Sequence, residues 1–335
     1  MAHTYNLALI GFGNVGREFV RLLVSKTGEL RTTYGIEWKL TGVASRRIGW
    51  IADPAGLDPS AILADDFPKR SSAANVREWI GAAKPDVFFE ASSLNRRDGQ
   101  PAIDHLRAAL ESGAHAISAN KGPIVHGYRS LRDLATKHGR KFLFESTVMD
   151  GTPIFSLFPH ALPAVELRGF RGILNSTTNV VLMEMERGAS LEGAVKRAQE
   201  IGVAETDPTD DLDGWDAAVK VAALTIVLMG VPFTLDQVER TGIRSVSPDE
   251  VRAARAEGMR YKLVCAAERT ENGGVRASVR PVKLPLSDPL ALLEGTTSAI
   301  RFEMDVFGLS IIEHKPGVIA TAYGLLADFV RAMRE

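Results

Sequence analysis

Residues 5–10, Tyr-Asn-Leu-Ala-Leu-Ile, make an apolar run of strand length, and the chain then reads Gly11-Phe12-Gly13-Asn14-Val15-Gly16. Val15, Phe19, Val20, Leu22 and Leu23 follow at spacings that fall on one face of a helix. A G-x-G-x-x-G loop between strand and helix constrains the backbone tightly. Its first glycine makes the turn, its second lets main chain approach a pyrophosphate, and its third lets helix and strand pack closely. The helix N-terminus then offers N–H donors to the anion. Alone the pattern is weak. In this setting it predicts a dinucleotide-binding unit, against the alternative of a Rossmann-like fold that has lost its cofactor.

Residues 40–44 read as a second strand, and 87–91, 115–118 and 141–144 as later ones. Residues 103–112, amphipathic and stopping at Gly113, and residues 130–138 read as helices. This alternation predicts an α/β protein whose N-terminal Rossmann domain, residues 1–150, is built on a doubly wound parallel sheet. After Gly151-Thr152-Pro153 the pattern changes. Residues 165–174 suggest a longer strand, 175–179 a turn, 190–201 and 214–229 helices, 272–285 a hairpin region and 318–334 a final helix. An α+β substrate-binding, catalytic and dimerisation domain is expected over 151–305. Residues 306–335 are expected to return to the nucleotide-binding domain.

Composition narrows the chemistry. Forty Lys plus Arg against forty-one Asp plus Glu, a net charge of −1, argue against attachment to nucleic acid or an anionic membrane by bulk charge. The one cysteine, Cys265, excludes an internal disulfide, a thiolate zinc cluster and a Cys-x-x-Cys motif. It lies in an apolar stretch and reads as a buried structural thiol. A thiol-dependent semialdehyde dehydrogenase would share the N-terminal half but needs its cysteine in a polar loop. Direct hydride transfer to or from a hydroxyl remains. The N-terminus shows no secretory signal, and the longest nearly apolar run, residues 221–233, is too short to span a bilayer. A cytoplasmic protein is expected.

Six carboxylates fall between Glu205 and Asp216. A calcium loop with Gly214 at its glycine would begin at Thr209 and end at Lys220, where a bidentate Glu is required, so that reading fails. Asp216 and Lys220, four apart on a helix, share a face. Lys220 stands at the mouth of the apolar run, where desolvation would favour the neutral amine that a general base needs. The competing reading is a plain ion pair on a solvated helix face.

The end of the second predicted strand carries Ser45-Arg46-Arg47, whereas Glu37, the nearest acid, lies at its start. A Rossmann unit that prefers NAD places a carboxylate at the strand end for the ribose 2′-hydroxyl. Here a hydroxyl and two guanidiniums stand there instead, which predicts NADP, with NAD as the alternative. The competing reading is two solvated loop arginines.

These segments together resemble homoserine dehydrogenase. The matching stretches are Gly11–Gly16, Ser118-Ala119-Asn120-Lys121-Gly122-Pro123, Glu145 to Pro153, Gly172 to Asn179, and Gly202 to Lys220. The last keeps its Glu, Asp-Pro-Thr, Asp-Asp and Asp-Ala-Ala-x-Lys elements in register. The resemblance implies that Lys220 donates and accepts the proton and that Lys121 is a second active-site lysine near the nicotinamide. It implies that Glu205 and Asp216, with Asp211 and Thr178, hold the substrate, carboxylates being suited to an α-ammonium group. Phe12, Asn14, Ser92, Ser93 and Gly317 join the glycines, Val15 and the Ser45–Arg47 element as implied cofactor contacts. A monovalent cation such as Na+ is implied at Glu145 and the carbonyls of Val148, Asp150 and Thr152. A homodimer is implied as well.

The chain also departs from the family pattern. A glycine-rich element before the last helix retains only Gly317, Ser176 replaces a glycine, and Asp150 replaces a small residue. No amino-acid-binding regulatory module is expected after the last helix. Three functions follow from different classes: oxidation of L-homoserine to L-aspartate 4-semialdehyde and its reverse, the same chemistry on another small hydroxy compound, or a redox-sensing binding protein. Retention of Glu205, Asp216, Lys220 and Lys121 together argues against the sensor, which needs none of them.

Overall fold

The computed structural model describes residues 3–68 and 71–334. The chain divides into two compact units, residues 1–156 with 317–335, and residues 157–316. The divisions fall later than the sequence pattern places them, for two local reasons. The Glu145 carboxylate binds the backbone N–H groups of Ile154, Phe155 and Ser156 and keeps them in the first unit. Residues 308–313 pair with 298–304 and stay in the second.

In the first unit, β1 (His3–Ile10), β2 (Ile36–Ser45), β3 (Gly49–Leu57), β4 (Val87–Glu90), β5 (His115–Ser118) and β6 (Phe142–Leu143) form one sheet. Its order is β3-β2-β1-β4-β5-β6. Every pairing is parallel except β2 with β3, an antiparallel hairpin at the sheet edge. The expected parallel sheet is therefore closed on one side by a strand that the sequence pattern does not reveal. β3 contains Pro54 and Gly56, residues depleted in strands and tolerated at an edge. Strand order reverses between β1 and β4, the position at which open α/β sheets hold their ligands.

The helix Asn14–Tyr34 turns Phe19, Val20, Leu23 and Leu30 inward and ends at Gly35, whose left-handed φ of 69° returns its N–H to the carbonyls of Arg31 and Leu30. The last helix, Val318–Arg334, packs on the same core, with Phe329 edge-on to Tyr5 and Phe89.

In the second unit, β7 (Leu167–Ile173), β8 (Val238–Arg240), β9 (Met259–Arg269), β10 (Val275–Pro285), β11 (Ser298–Met304) and β12 (Gly308–Glu313) lie in the order β12-β11-β7-β9-β10-β8. The pairings are antiparallel except β10 with β8. Asn272-Gly273-Gly274 closes the hairpin of β9 and β10, with Gly273 at a φ of 77°. The helix Trp215–Leu228 is buried almost all round, as the apolar run predicts. The expected turn at 175–179 is instead the start of a helix, Ser176–Glu186, because the Asn175 side chain caps it through the N–H of Thr178. Among the described residues no helix is long and apolar enough to cross a membrane.

Candidate active site

Gly11 leaves the end of β1 with its N–H on the Ala44 carbonyl, 2.9 Å away, so the loop starts beside the end of β2. A Cβ on Gly11 would lie 2.2 Å from the Ala91 carbonyl carbon, and one on Gly16 would lie 2.5 Å from the Gly11 oxygen. A Cβ on Gly13 would meet nothing within 4 Å. The first and third glycines thus serve close packing, while Gly13 and Asn14 are open to solvent and Phe12 is buried. Val15 is half-buried at the helix start. This cradle fits a pyrophosphate.

Ser45 ends β2 and accepts the Ile48 N–H, and Arg46 and Arg47 lie exposed in the turn to β3. Sequence reading finds no acid at this point, but the fold supplies one. Asp65 pairs with Arg47 at 3.2 Å and with Arg17 of the first helix, whose guanidinium lies over the Phe12 ring. Both arginines hold the Asp65 carboxyl below its ordinary range, Arg17 most strongly.

After β4, the Glu90 carboxylate accepts the Ser92 N–H. Asn120, buried, donates from its side chain to the carbonyls of Ser92 and Ser93, at 3.2 and 3.3 Å, and accepts the Gly122 N–H. It ties the Ser92-Ser93 loop to the turn that carries Lys121. The Lys121 carbonyl starts the helix Gly122–Lys137 by accepting from Ile124 and Val125.

The segment expected to hold a cation is built differently from a carboxylate site. Both Glu145 oxygens are engaged, Oε1 by the N–H groups of Ile154 and Phe155 and Oε2 by Ser156 and Arg331. Asp150, in the left-handed region at φ 51°, sends its carboxylate to the Gly317 N–H at 2.6 Å and the Thr321 hydroxyl at 2.9 Å. Val148 is buried, and the Thr152 carbonyl accepts the Ile154 N–H. Among the described residues no group of three or more His, Cys, Asp or Glu side chains could hold a metal ion.

In the second unit, Lys220 Nζ lies 2.9 Å from Asp216 Oδ2 and 2.6 Å from the Leu174 carbonyl. Asn175 donates to Asp211 Oδ1 at 2.6 Å and to Asp216 Oδ2 at 3.1 Å, while its oxygen accepts the Thr178 N–H and hydroxyl. Burial and the neighbouring Asp216 raise the Asp211 carboxyl above its ordinary range. Cys265 is fully buried, and burial pushes its thiol up to about 12, which rules it out as a nucleophile at neutral pH. The arrangement joins two acids, one lysine and an amide in one hydrogen-bonded cluster. It can bind a cationic group and move a proton.

Residues 11–145 match the family model for the NAD-binding domain of homoserine dehydrogenase, and residues 153–330 match the homoserine dehydrogenase family model. The NAD(+)-dependent homoserine dehydrogenase of Pseudomonas canavaninivorans is 35% identical over 97% of this chain and 95% of its own. The homoserine dehydrogenase of Methanocaldococcus jannaschii is 31% identical over 97% of each chain. The chain belongs to the homoserine dehydrogenase family. A crystal structure of a homoserine dehydrogenase from Thiobacillus denitrificans agrees, with a TM-score of 0.85 at 28% identity, covering 99% of this chain and 74% of that one.

For a homoserine dehydrogenase, the cluster brings together four residues expected from sequence, Thr178, Asp211, Asp216 and Lys220. Glu205 is not bonded into it. Its side chain is exposed, and only its carbonyl is held, by the Gln199 amide. Sequence reading assigns no role to Asn175, Asn120 or Asp65. Asn175 had a signal, since an Asn before Ser-Thr-Thr marks a helix cap. Asp65 had none.

Proposed function

We infer that the chain interconverts L-homoserine and L-aspartate 4-semialdehyde with a nicotinamide cofactor. The observation that carries this is the Asp216–Lys220 pair, held on the Leu174 carbonyl beside a second half-buried acid, in a chain that matches the family models along most of its length. A bound nicotinamide supplies the hydride acceptor. The protein's own part is the proton: Lys220 Nζ takes it from the hydroxyl on oxidation and returns it to the carbonyl oxygen on reduction. Asp216 orients the lysine, and Asp211 and Glu205 supply negative charge for the substrate's ammonium group. Lys121 remains, on the family resemblance, the second active-site lysine. The test is homoserine-dependent reduction of NAD+ and NADP+, followed by the absorbance of the reduced cofactor. No reduction of either cofactor with homoserine, together with turnover of another small hydroxy acid, would favour the related-substrate reading.

Three finer readings accompany this one. NADP is proposed as the better cofactor through Ser45, Arg46 and Arg47, with Asp65 as an opposing charge that keeps NAD in use. A monovalent cation such as Na+ is proposed at Glu145 and the carbonyls of Val148, Asp150 and Thr152, supported by two successive left-handed residues, Met149 and Asp150, in that loop. A homodimer is proposed through the second unit's sheet. One face of it carries a groove of about 580 Å³ lined by Phe170, Val264, Ala266 and Ser278 among arginines. A sizing column run across concentrations checks the last, and a monomer throughout would remove it.

A further inference from the structure

Asn175 stands at the centre of the acid–lysine cluster and carries no charge. Its side chain is buried, at 3% exposure, and every hydrogen-bonding position on its amide is used. The Thr178 N–H can only donate, so the oxygen of the amide must face Thr178 and its NH2 must face the acids. One N–H goes to Asp211 and the other to the same Asp216 oxygen that receives Lys220 Nζ. The lysine also donates to the carbonyl of Leu174, the residue before Asn175.

We propose that Asn175 is a positioning residue for Lys220: its amide bridges the carboxylates of Asp211 and Asp216, so that two half-buried acids stand side by side with Asp216 aimed at the lysine. This deepens the reading of Lys220 as the proton-transfer group and rests on it. The charged groups around the amide are Asp211 on the short helix Thr209–Leu212 and Asp216 and Lys220 on the helix Trp215–Leu228, with the uncharged, buried Cys265 of β9 near Leu174. Each acid receives one N–H of the Asn175 amide, so a single uncharged side chain fixes both carboxylates relative to each other.

The competing role is helix capping alone, and the two roles use different atoms. Capping uses Oδ1, whereas positioning uses Nδ2. Asn175→Asp keeps the capping oxygen, removes both donors and adds a charge. The expected result is a folded protein that keeps the helix Ser176–Glu186 but melts below wild type, because a third acid joins the other two, and a fall in kcat of about 10- to 100-fold. The rising limb of kcat/KM for homoserine oxidation should also move about one pH unit to the alkaline side, because a third acid holds the proton on the lysine. Asn175→Ser, with a capping oxygen and no added charge, should lose kcat without that shift, and it replaces the Asp variant if the latter fails to fold. Wild-type rate and pH profile in either folded variant would overturn the proposal and leave a cap. If wild type does not turn over homoserine, the functional reading fails separately. Carboxyl 13C titration then decides the positioning role. Asp211 or Asp216 should titrate higher in Asn175→Ser than in wild type, and identical titrations would overturn it.

Discussion

Lys220 shares an oxygen of Asp216 with Asn175 and reaches back 46 residues to the Leu174 carbonyl. A group fixed from two sides can receive a proton without first being ordered, which is where a positioned base gains over water. Lys220→Ala should lower kcat by about 10²–10⁴-fold while leaving cofactor affinity nearly unchanged, read by fluorescence of the bound reduced cofactor. A variant that kept more than a tenth of the wild-type rate would reduce Lys220 to a structural ion pair. Glu205→Gln should mainly raise KM for homoserine, since its exposed carboxylate makes no bond that holds the cluster. An unchanged KM would exclude Glu205 from binding. The Asp216–Lys220 pair was legible because its partners are four residues apart on one helix. Asn175 as a bridge was not, because its acids lie 36 and 41 residues along the chain, and spacing that long carries no periodic signal.

The glycine loop, its strand and the start of its helix were legible, since they are specified by residues within about a dozen positions of one another, whereas the helix runs on to Tyr34, well past the last periodic residue, Leu23. The hairpin that follows was not. Glu37 begins β2 and is tied to Thr4 and Arg31, far from the turn that carries Arg46 and Arg47. The acid that matters for those arginines comes from Asp65, beyond the short helix Pro59–Leu63, and only the folded hairpin brings it to Arg47. The sequence premise that no carboxylate stands at this corner is therefore corrected. A 2′-phosphate must compete with Asp65 for Arg47, whereas the bonds of Asp65 go to Arg17 and Arg47 and leave the exposed Arg46 outside that pairing. Arg46→Ala should cut kcat/KM for NADP+ by about 10-fold with little change for NAD+. Asp65→Asn should raise the NADP+ to NAD+ ratio by about 3- to 10-fold, by releasing Arg47 and removing a repelling charge. Steady-state kinetics with both cofactors at one pH and ionic strength measure this. A ratio unmoved by both variants would place the 2′-position elsewhere.

The first unit is closed by the far end of the chain. Asp328 and Arg331, on the last helix, meet Glu145 across 183 and 186 residues, and Phe329 between them enters the aromatic core of the sheet. Glu145 in turn gathers three backbone N–H groups of the Ile154–Ser156 segment. Hydrophobic period identified the last helix, but not its partners, since two buried acids and one arginine give no pattern until the ends meet. Arg331 is the cation bonded to both acids, and Asp328 and Glu145 are 0% and 2% exposed. Arg331→Met keeps the length and apolar stem of the side chain and removes the charge. It should cost about 3–5 kcal/mol, the usual consequence of leaving buried charge unpaired. The cost should depend on pH. Burial raises the Asp328 carboxyl from 3.8 to about 7, with Arg331 pulling it down and Glu145 pushing it up. An acid raised on folding binds more protons in the folded state, so stability falls as pH climbs from its unfolded value through its folded one. Without Arg331 the folded value moves higher still, and the fall continues past pH 7. Urea unfolding should show a larger loss in Arg331→Met at pH 8 than at pH 5, where Asp328 is protonated in wild type and variant alike. Adding Asp328→Asn should restore much of the loss at pH 8 and little at pH 5. Equal losses at the two pH values would mean that the arginine acts through packing of its stem, and that the buried acids are held by the backbone donors alone.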